Sequence, residues 1–593
     1  MNEMKLRTTR LDIIGRSLIL NIVAIVLNIF AVVLIAKGFH ESTGSSAFIM
    51  KLSGFALIAI TLFILAILKG MLLFSYVARV LVGGLFIVSG LVKANDPWGF
   101  AFKLEEYFEP TGLTADFSFF GWFEGYELQL SILICVVEIV LGAAVILGGK
   151  IKLASWSLVI MMIFFTWLTY YTYSCNASQL LAMQDGSEFG RQCVTDCGCF
   201  GDALRGSVGR SLTPLESFWK DLVLFYLCII IFINQWKIKL NTVKENWIMV
   251  PASLLVVIFF SWVFGWMFPI FFALIAMLGA FIMANLNIGK IGKAWKMAMF
   301  VAFISVLFSL YTASYLPVKD YRPYAIGNDI NEQMKNGIDE VAEFVLLYDN
   351  KLTGEVDTFA LDQWEVYGDT NIYAYKDRTK KTLIDGTPHS IQDFSAMIDY
   401  EQLSEADKAN AYIDSVVKAD YLNYYEDKLL IASEYGVDTM ALIDYDTLYY
   451  PDSIYTKKET YTGLIDPSTK FSMDLTKYLI SVDNIFLMTI RDLESVNEKS
   501  MPSFKNILEG AKEKNIPFFV LCPSSGEVVE AFKQKHDFDA TFLAFDGIEV
   551  KIIVRSNPGL ILLKNGVVQD KWPSRSVEDF EDIYEEYINT KQD

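Results

Sequence analysis

Long apolar runs constrain this chain more than any other feature. Crossing about 30 Å of hydrocarbon at 1.5 Å per residue takes about 18 or more apolar residues. The first half of the sequence holds nine such runs, at about 13–36, 52–75, 79–94, 128–148, 153–175, 217–234, 247–267, 269–287 and 296–316. The first is too long for the apolar core of a secretory signal, and no small-x-small cleavage site follows it. It is therefore expected to remain as a membrane helix.

The rest of the chain is different in kind. Residues 1–316 carry 22 Lys and Arg against 18 Asp and Glu, which leaves 28 against 51 for residues 317–593, a net charge of −23 in that half. A hydrophobic fraction of 53% and 44 Phe belong to the first half's chemistry rather than to a soluble enzyme. The expected fold class is a polytopic α-helical membrane protein followed by an α+β region that ends in an α/β domain. An acidic soluble half without Lys/Arg stripes argues against nucleic-acid binding. With three His (His40, His389, His536), His-dependent metal or triad chemistry is also disfavoured.

Orientation follows from the short loops, because Lys and Arg near helix ends stay cytoplasmic. Basic sites fall at alternate turns: Lys5/Arg7/Arg10, Lys69/Arg79, Lys150/Lys152, Lys237/Lys239/Lys244 and Lys290/Lys293/Lys296. This pattern predicts a cytoplasmic N-terminus and places the segment 96–127, the loop 176–216 and the acidic half outside, in a bacterial periplasm facing the inner membrane.

That placement decides how the cysteines are read. Cys175, Cys193, Cys197 and Cys199 cluster on the side where thiols are commonly oxidised, whereas Cys135 and Cys228 lie within helices as small apolar packing residues. Disulfide exchange is the favoured chemistry; a structural pair or a four-thiolate zinc site are the alternatives, although the usual pair of C-x2-C knuckles is absent. A Cys197–Cys199 bond would close a small strained ring relieved by Gly198, and strain raises reduction potential. Cys193 and Cys175 could then relay electrons by exchange.

The stretch Ala78–Phe108, with Arg79-Val80-Leu81-Val82-Gly83, Ser89-Gly90-Leu91-Val92-Lys93, Asp96-Pro97 and Lys103–Phe108, resembles the DoxX-like membrane proteins. Cys197-Gly198-Cys199-Phe200-Gly201-Asp202, then Leu212-Thr213-Pro214 and Ser217–Asp221, resembles the related MauE-type pattern. The resemblance spans about residues 78–235 and implies a four-helix bundle similar in outline to vitamin K epoxide reductase. It also implies a role in extracytoplasmic disulfide formation or quinone-linked electron transfer. Within this unit Glu138 is an ionisable group inside a helix, expected either to accept a proton near a bound quinone or to pack as a hydrogen-bonded core residue. Lys93 and Asp96 close the preceding helix, as ligand contacts or as interfacial anchors, and Asp202 completes the candidate cofactor-binding set.

The join Leu316–Ile326, with Gly327–Met334, resembles the segment after the membrane part in long DoxX-like proteins of Bacteroidota. Residues 341–385 alternate apolar runs with turn residues, the pattern of antiparallel hairpins, and residues 403–436 read as helical. The last hundred residues read as βαβαββ, with strands at Ile485–Ile490, Pro517–Leu521, Gly559–Lys564 and Val567–Trp572 and a hairpin at Asn565-Gly566. Asn557-Pro558-Gly559 resembles the cis-proline turn of the thioredoxin family. The loop that would bear its Cys-x-x-Cys reads Arg491–Pro502 and has no cysteine. Cys522 has no positive neighbour to lower its pKa and is expected to be inert.

The expected organisation is two helices in 1–77, a four-helix unit in 78–235, three helices in 236–316, an α+β region in 317–480 and the thioredoxin-like domain in 481–593. Two functions fit. One is a membrane thiol-disulfide or quinone-linked redox protein acting on periplasmic protein clients. The other is a non-catalytic scaffold or assembly factor whose acidic domain binds partners.

Overall fold

The computed structural model describes residues 71–589 apart from 400–471 and short stretches at 186–188, 196–197, 199, 201, 288–289, 338–340, 355, 361–366, 368–369, 371, 385–388 and 392–393; ahead of residue 71 it describes Ser53. The expected helices at 13–36 and 403–436, and nearly all of 52–75, lie outside the described residues, as do Cys197 and Cys199. The chain forms two compact units, Met1–Ala313 with Pro317–Tyr321, and Ser314–Leu316 with Arg322–Asp593.

The first unit is helical. It contains α1 (Met71–Asn95), α2 (Pro97–Phe108), α3 (Glu127–Leu147), α4 (Ile151–Asp185), α5 (Asp202–Val208), α6 (Pro214–Ile233), α7 (Val243–Val263), α8 (Phe268–Asn285) and α9 (Lys293–Ser314). Among the described residues six helices are long and apolar enough to cross a membrane: α1, α3, α4, α7, α8 and α9. This is a polytopic helical membrane protein in contact with lipid. The expected crossing at 217–234 forms as α6, but Glu216, Lys220 and Asp221 give it three charges. The helix is made; its polar first half sets it apart from the other six.

Burial sorts the spans. The α1 window is 67% buried inside the protein and that of α7 only 22%, so α1 is a central helix and α7 a lipid-facing one. Small residues let α1 and α3 approach closely. A Cβ on Gly90 would stand 2.7 Å from Ile139 Cγ1 and 2.9 Å from the Cys135 carbonyl, and one on Gly142 would stand 2.7 Å from the Gly83 carbonyl. Such small-residue seams are how membrane helices gain packing without a hydrophobic driving force between them.

One basic site departs from expectation. Arg79 was expected in a loop between two helices, yet α1 runs through it and its side chain is buried. Its guanidinium donates to the carbonyls of Val145 (2.9 Å) and Ile146 (3.0 Å) and to Asn241 Oδ1 (2.7 Å). The last carbonyls of a helix lack intrahelical partners and carry the negative end of its dipole, so a buried arginine is a fitting cap there. Lys150 lies 5.7 Å from the Trp295 ring, which brings the turn before α4 to the start of α9. The basic turns at 79, 150, 239 and 293 thus gather at one end of the helical unit.

Among its described residues the second unit holds two sheets. A three-stranded antiparallel sheet, β1 (Val341–Asn350), β2 (Val356–Ala360) and β3 (Tyr373–Ile384), has the order β2-β1-β3, as the hairpin pattern predicts. A seven-stranded sheet contains β4 (Met397–Asp399), β5 (Ser472–Asp474), β6 (Ile485–Thr489), β7 (Phe518–Cys522), β8 (Thr541–Ala544), β9 (Gly559–Lys564) and β10 (Val567–Pro573), in the order β10-β9-β6-β7-β8-β4-β5. Strands β6, β7 and β8 are parallel; β9 runs antiparallel to β6. Both faces are covered, which is why these strands are continuous apolar runs rather than alternating ones. Ile485 and Leu487 join one core, Phe486 and Met488 the other.

The βαβαββ reading needs correction. Strand β8 and a short helix (Gly547–Ile553) come between the second helix and β9, and β4 and β5 extend the sheet from earlier in the chain. These elements are three to seven residues long, too short for a periodicity to register. The Asn557–Pro558 peptide is cis, and Asn565 (φ 49°) and Gly566 (φ 79°) make the tight β9–β10 turn as expected.

Candidate functional site

The site grows from the α1–α3 seam. Gly90, one turn before Lys93, lies against the backbone of Cys135 and the Cβ of Glu138, so the two helices carry Lys93 and Glu138 side by side. Lys93 Nζ donates to Glu138 Oε1 at 2.6 Å, and both side chains are 4% exposed. A second donation runs to Ser89 Oγ at 3.1 Å. The Phe100 and Phe165 rings stand 5.4 and 5.8 Å from the ammonium. Lys93 is therefore a buried ion-pair partner and no interfacial anchor.

This pair opens on a small apolar cleft of about 50 Å³ between α1, α2, α3, α4 and α6, with Leu104, Met162, Leu168 and Leu224 among its walls. Lys220 and Asp221 also line it, from α6. The start of that helix is fixed by a capping box: Thr213 Oγ1 accepts from the Glu216 N–H, and Glu216 returns the bond to the Thr213 N–H. The box places Lys220 and Asp221 in the second turn, where they pair at 2.8 Å. In the sequence both fall in the Ser217–Asp221 run at the start of an apolar helix, where nothing local assigns either a role.

Each carboxylate has one oxygen engaged and one unused. Glu138 Oε2 and Asp221 Oδ2 are buried and have no hydrogen-bond partner among the described residues. A buried acceptor without a donor is costly, of order 1–3 kcal/mol and more for a charge. Two residues of one cleft wall that each hold such an oxygen suit a ligand, or ordered water, that brings donors.

The remaining candidates divide. Asp96 caps α2, its Oδ1 accepting the Gly99 N–H at 2.9 Å, and Asp202 opens α5; neither lines the cleft. Cys175, near the end of α4, is disulfide-bonded to Cys193, with Cα atoms 5.7 Å apart. The bond ties the loop after α4 back to that helix, and Cys175 also faces an open hollow lined by Tyr171, Ser178 and Arg191. Around the Cys-Gly-Cys run, Gly198 (φ 62°) packs on Lys103 and Phe100, and Phe200 lines the cleft with its ring 5.2 Å from Lys220 Nζ. Phe200, directly after that run, thus reaches the cleft. Among the described residues no group of three or more His, Cys, Asp and Glu is placed to hold a metal ion.

Residues 71–178 match the family described as methylamine utilisation protein MauE. The matched segment is α1 to α4 as far as the turn after Cys175, less than a fifth of the chain. It contains the stretch that resembled DoxX-like proteins and stops short of the Cys197–Asp221 run that resembled the MauE pattern. Lys93, Glu138 and Cys175 fall inside the MauE segment; Cys193, Lys220 and Asp221 fall outside it. No curated protein and no solved structure matches this chain.

In the second unit Cys522 is fully buried at the end of β7, where burial pushes its thiol upward against the opposing backbone hydrogen bond from Ser524. Next to Pro558, the chain's own 491–497 loop is docked on Asn557. Asn557 Oδ1 accepts the Arg491 N–H, Asn557 Nδ2 donates to the Asp492 carbonyl, and the Asn557 carbonyl accepts the Asn497 N–H.

Proposed function

We propose that the helical unit is a redox site coupling extracytoplasmic thiols to a quinone-type acceptor within the membrane. The observation that carries this reading is the apolar, aromatic cleft with the Lys93–Glu138 pair and its unpartnered carboxylate oxygen. A bound quinone supplies a two-electron, two-proton acceptor. Lys93 would donate from Nζ to a ring oxygen, and Glu138 would hold the exchanged proton at Oε2. On the thiol side, one thiolate of an external dithiol would attack Cys175 Sγ in the open hollow and displace Cys193 as thiolate, and the second thiolate would displace Cys175 from the mixed disulfide; a Cys197–Cys199 disulfide would reoxidise Cys175 and Cys193 by the same exchange and pass the electron pair on to the quinone. For each dithiol oxidised to a disulfide, two electrons and two protons leave the thiols and are taken up in the cleft.

The test uses the full chain in lipid nanodiscs under argon, with a reduced dithiol and a water-soluble quinone whose absorbance is followed. Turnover is expected, with losses of a hundredfold or more in Glu138→Gln, Cys197→Ser and Cys199→Ser. Full rates in Cys197→Ser/Cys199→Ser would overturn the redox reading.

The finer topology belongs to the same proposal: nine crossings, a cytoplasmic N-terminus, a DoxX-like relationship, an inner-membrane location and a periplasmic second unit. The order β10-β9-β6-β7, with β6 and β7 parallel and β9 reversed, supports a thioredoxin-like reading of its C-terminal part. A second function, a non-catalytic scaffold or assembly factor, draws on a different observation. The loop 491–497 tied to Asn557 and the burial of Cys522 leave that domain without dithiol chemistry among the described residues and favour a role in holding protein partners.

A further inference from the structure

We propose that the cleft has a second polar end, the Lys220–Asp221 pair, and that it takes a flat six-membered ring bearing two opposed oxygen functions, one meeting each ion pair. This rests on the redox reading above and goes beyond it by naming the ligand's shape and the residues at its far end.

The two ion pairs come from different helices. Lys93 and Glu138 project from α1 and α3, Lys220 and Asp221 from α6, and all four line one cleft whose remaining surface is mainly apolar. In each pair the lysine engages one carboxylate oxygen, at 2.6 Å and 2.8 Å. The other oxygen is buried without a hydrogen-bond partner among the described residues. An ammonium has three donors, so each lysine can also serve a ligand oxygen. Each end therefore offers an acceptor and a donor together. A phenolic O–H would donate to the carboxylate, and a carbonyl in its place would accept from the ammonium. Aromatic rings stand beside both ammoniums, Phe100 and Phe165 at one and Phe200 at the other. They provide the flat walls that a ring requires. An anion alone would meet two carboxylates, and a single-headed lipid would leave one orphan oxygen unserved. A ring with oxygens on opposite edges serves both.

The experiment measures binding, with no turnover. The full chain in nanodiscs under argon is titrated with 2-hexyl-1,4-hydroquinone and with its 4-methyl ether, following quenching of Trp fluorescence. Wild type is expected to bind the diol at least about tenfold more tightly than the ether, since one charge-assisted hydrogen bond is lost. Asp221→Leu should bring the diol down to the ether's affinity and leave ether binding unchanged. Lys220→Met should weaken the matching quinone more than the diol. Equal wild-type affinity for diol and ether, with both weakened by Glu138→Gln, would overturn the second polar end while sparing the redox reading. That comparison needs no variant at Asp221, so it stands even where Asp221→Leu does not fold. Failure of every ring compound to bind wild type would overturn both.

Discussion

Removing the Lys93 ammonium should cost more than the pair contributes. Two unit charges 2.6 Å apart attract by about 6 kcal/mol at an effective dielectric of about 20. Burying each ion costs several kcal/mol, so the intact pair comes out near neutral against an uncharged replacement. Breaking it is different, because Lys93→Met leaves Glu138 charged, buried and without its partner. The expected loss is about 3–5 kcal/mol, on the order of a hundredfold to a few thousandfold in the folded-to-unfolded ratio. Glu138→Gln should cost less, since the amide oxygen can still accept from Nζ. The double variant Lys93→Met/Glu138→Gln should recover most of the Lys93→Met loss. Denaturation of the full chain in bicelles, run as a double-mutant cycle, gives the coupling directly. A coupling energy below about 0.5 kcal/mol would refute the claim that these residues act as a buried pair.

Further outcomes follow from other parts of the chain. Peptide mapping without reduction should recover the Cys175–Cys193 link, and Cys175→Ser should lower stability by about 3 kcal/mol from the loop released, whose ends are 18 residues apart; a map joining Cys193 only to Cys197 or Cys199 would reject the pairing. Gly90→Ala should separate α1 from α3 and lower membrane abundance, because its Cβ meets the backbone carbonyl of Cys135 as well as Ile139; unchanged melting would show that the seam gives way. Thiol labelling of intact cells after reduction should reach the 176–216 loop, and labelling only after the inner membrane is permeabilised would reverse the topology. Cys522, its pKa raised by burial, should stay unalkylated in the native state. Its raised folded pKa contributes stability that is fully present below the unfolded thiol value and declines as pH rises above it, so Cys522→Ala should flatten the fall in stability above about pH 8.5; an identical pH profile would remove Cys522 as a source of that fall.

The sequence by itself determined the class of molecule. Apolar runs of 18 or more residues admit only membrane helices, because the backbone's polar groups have no other way to be satisfied in hydrocarbon. Alternating basic turns gave those helices an expected orientation, and apolar runs bounded by Asn, Asp and Gly turns located the larger strands of the second unit. The tertiary structure decided what no local pattern carries. Arg79 looked like a loop cation until the end of α3 was brought to it, and Lys93 looked like an interfacial anchor until the Gly90 seam set it against Glu138. Lys220 and Asp221 had no assigned role until five helices were brought around them. In each case a charged side chain acquired its meaning from a partner at least 45 residues away or from a wall built by several helices. Spacing along a chain reports neighbours on one element; which orphan carbonyl or carboxylate an ammonium meets is fixed only when the elements pack.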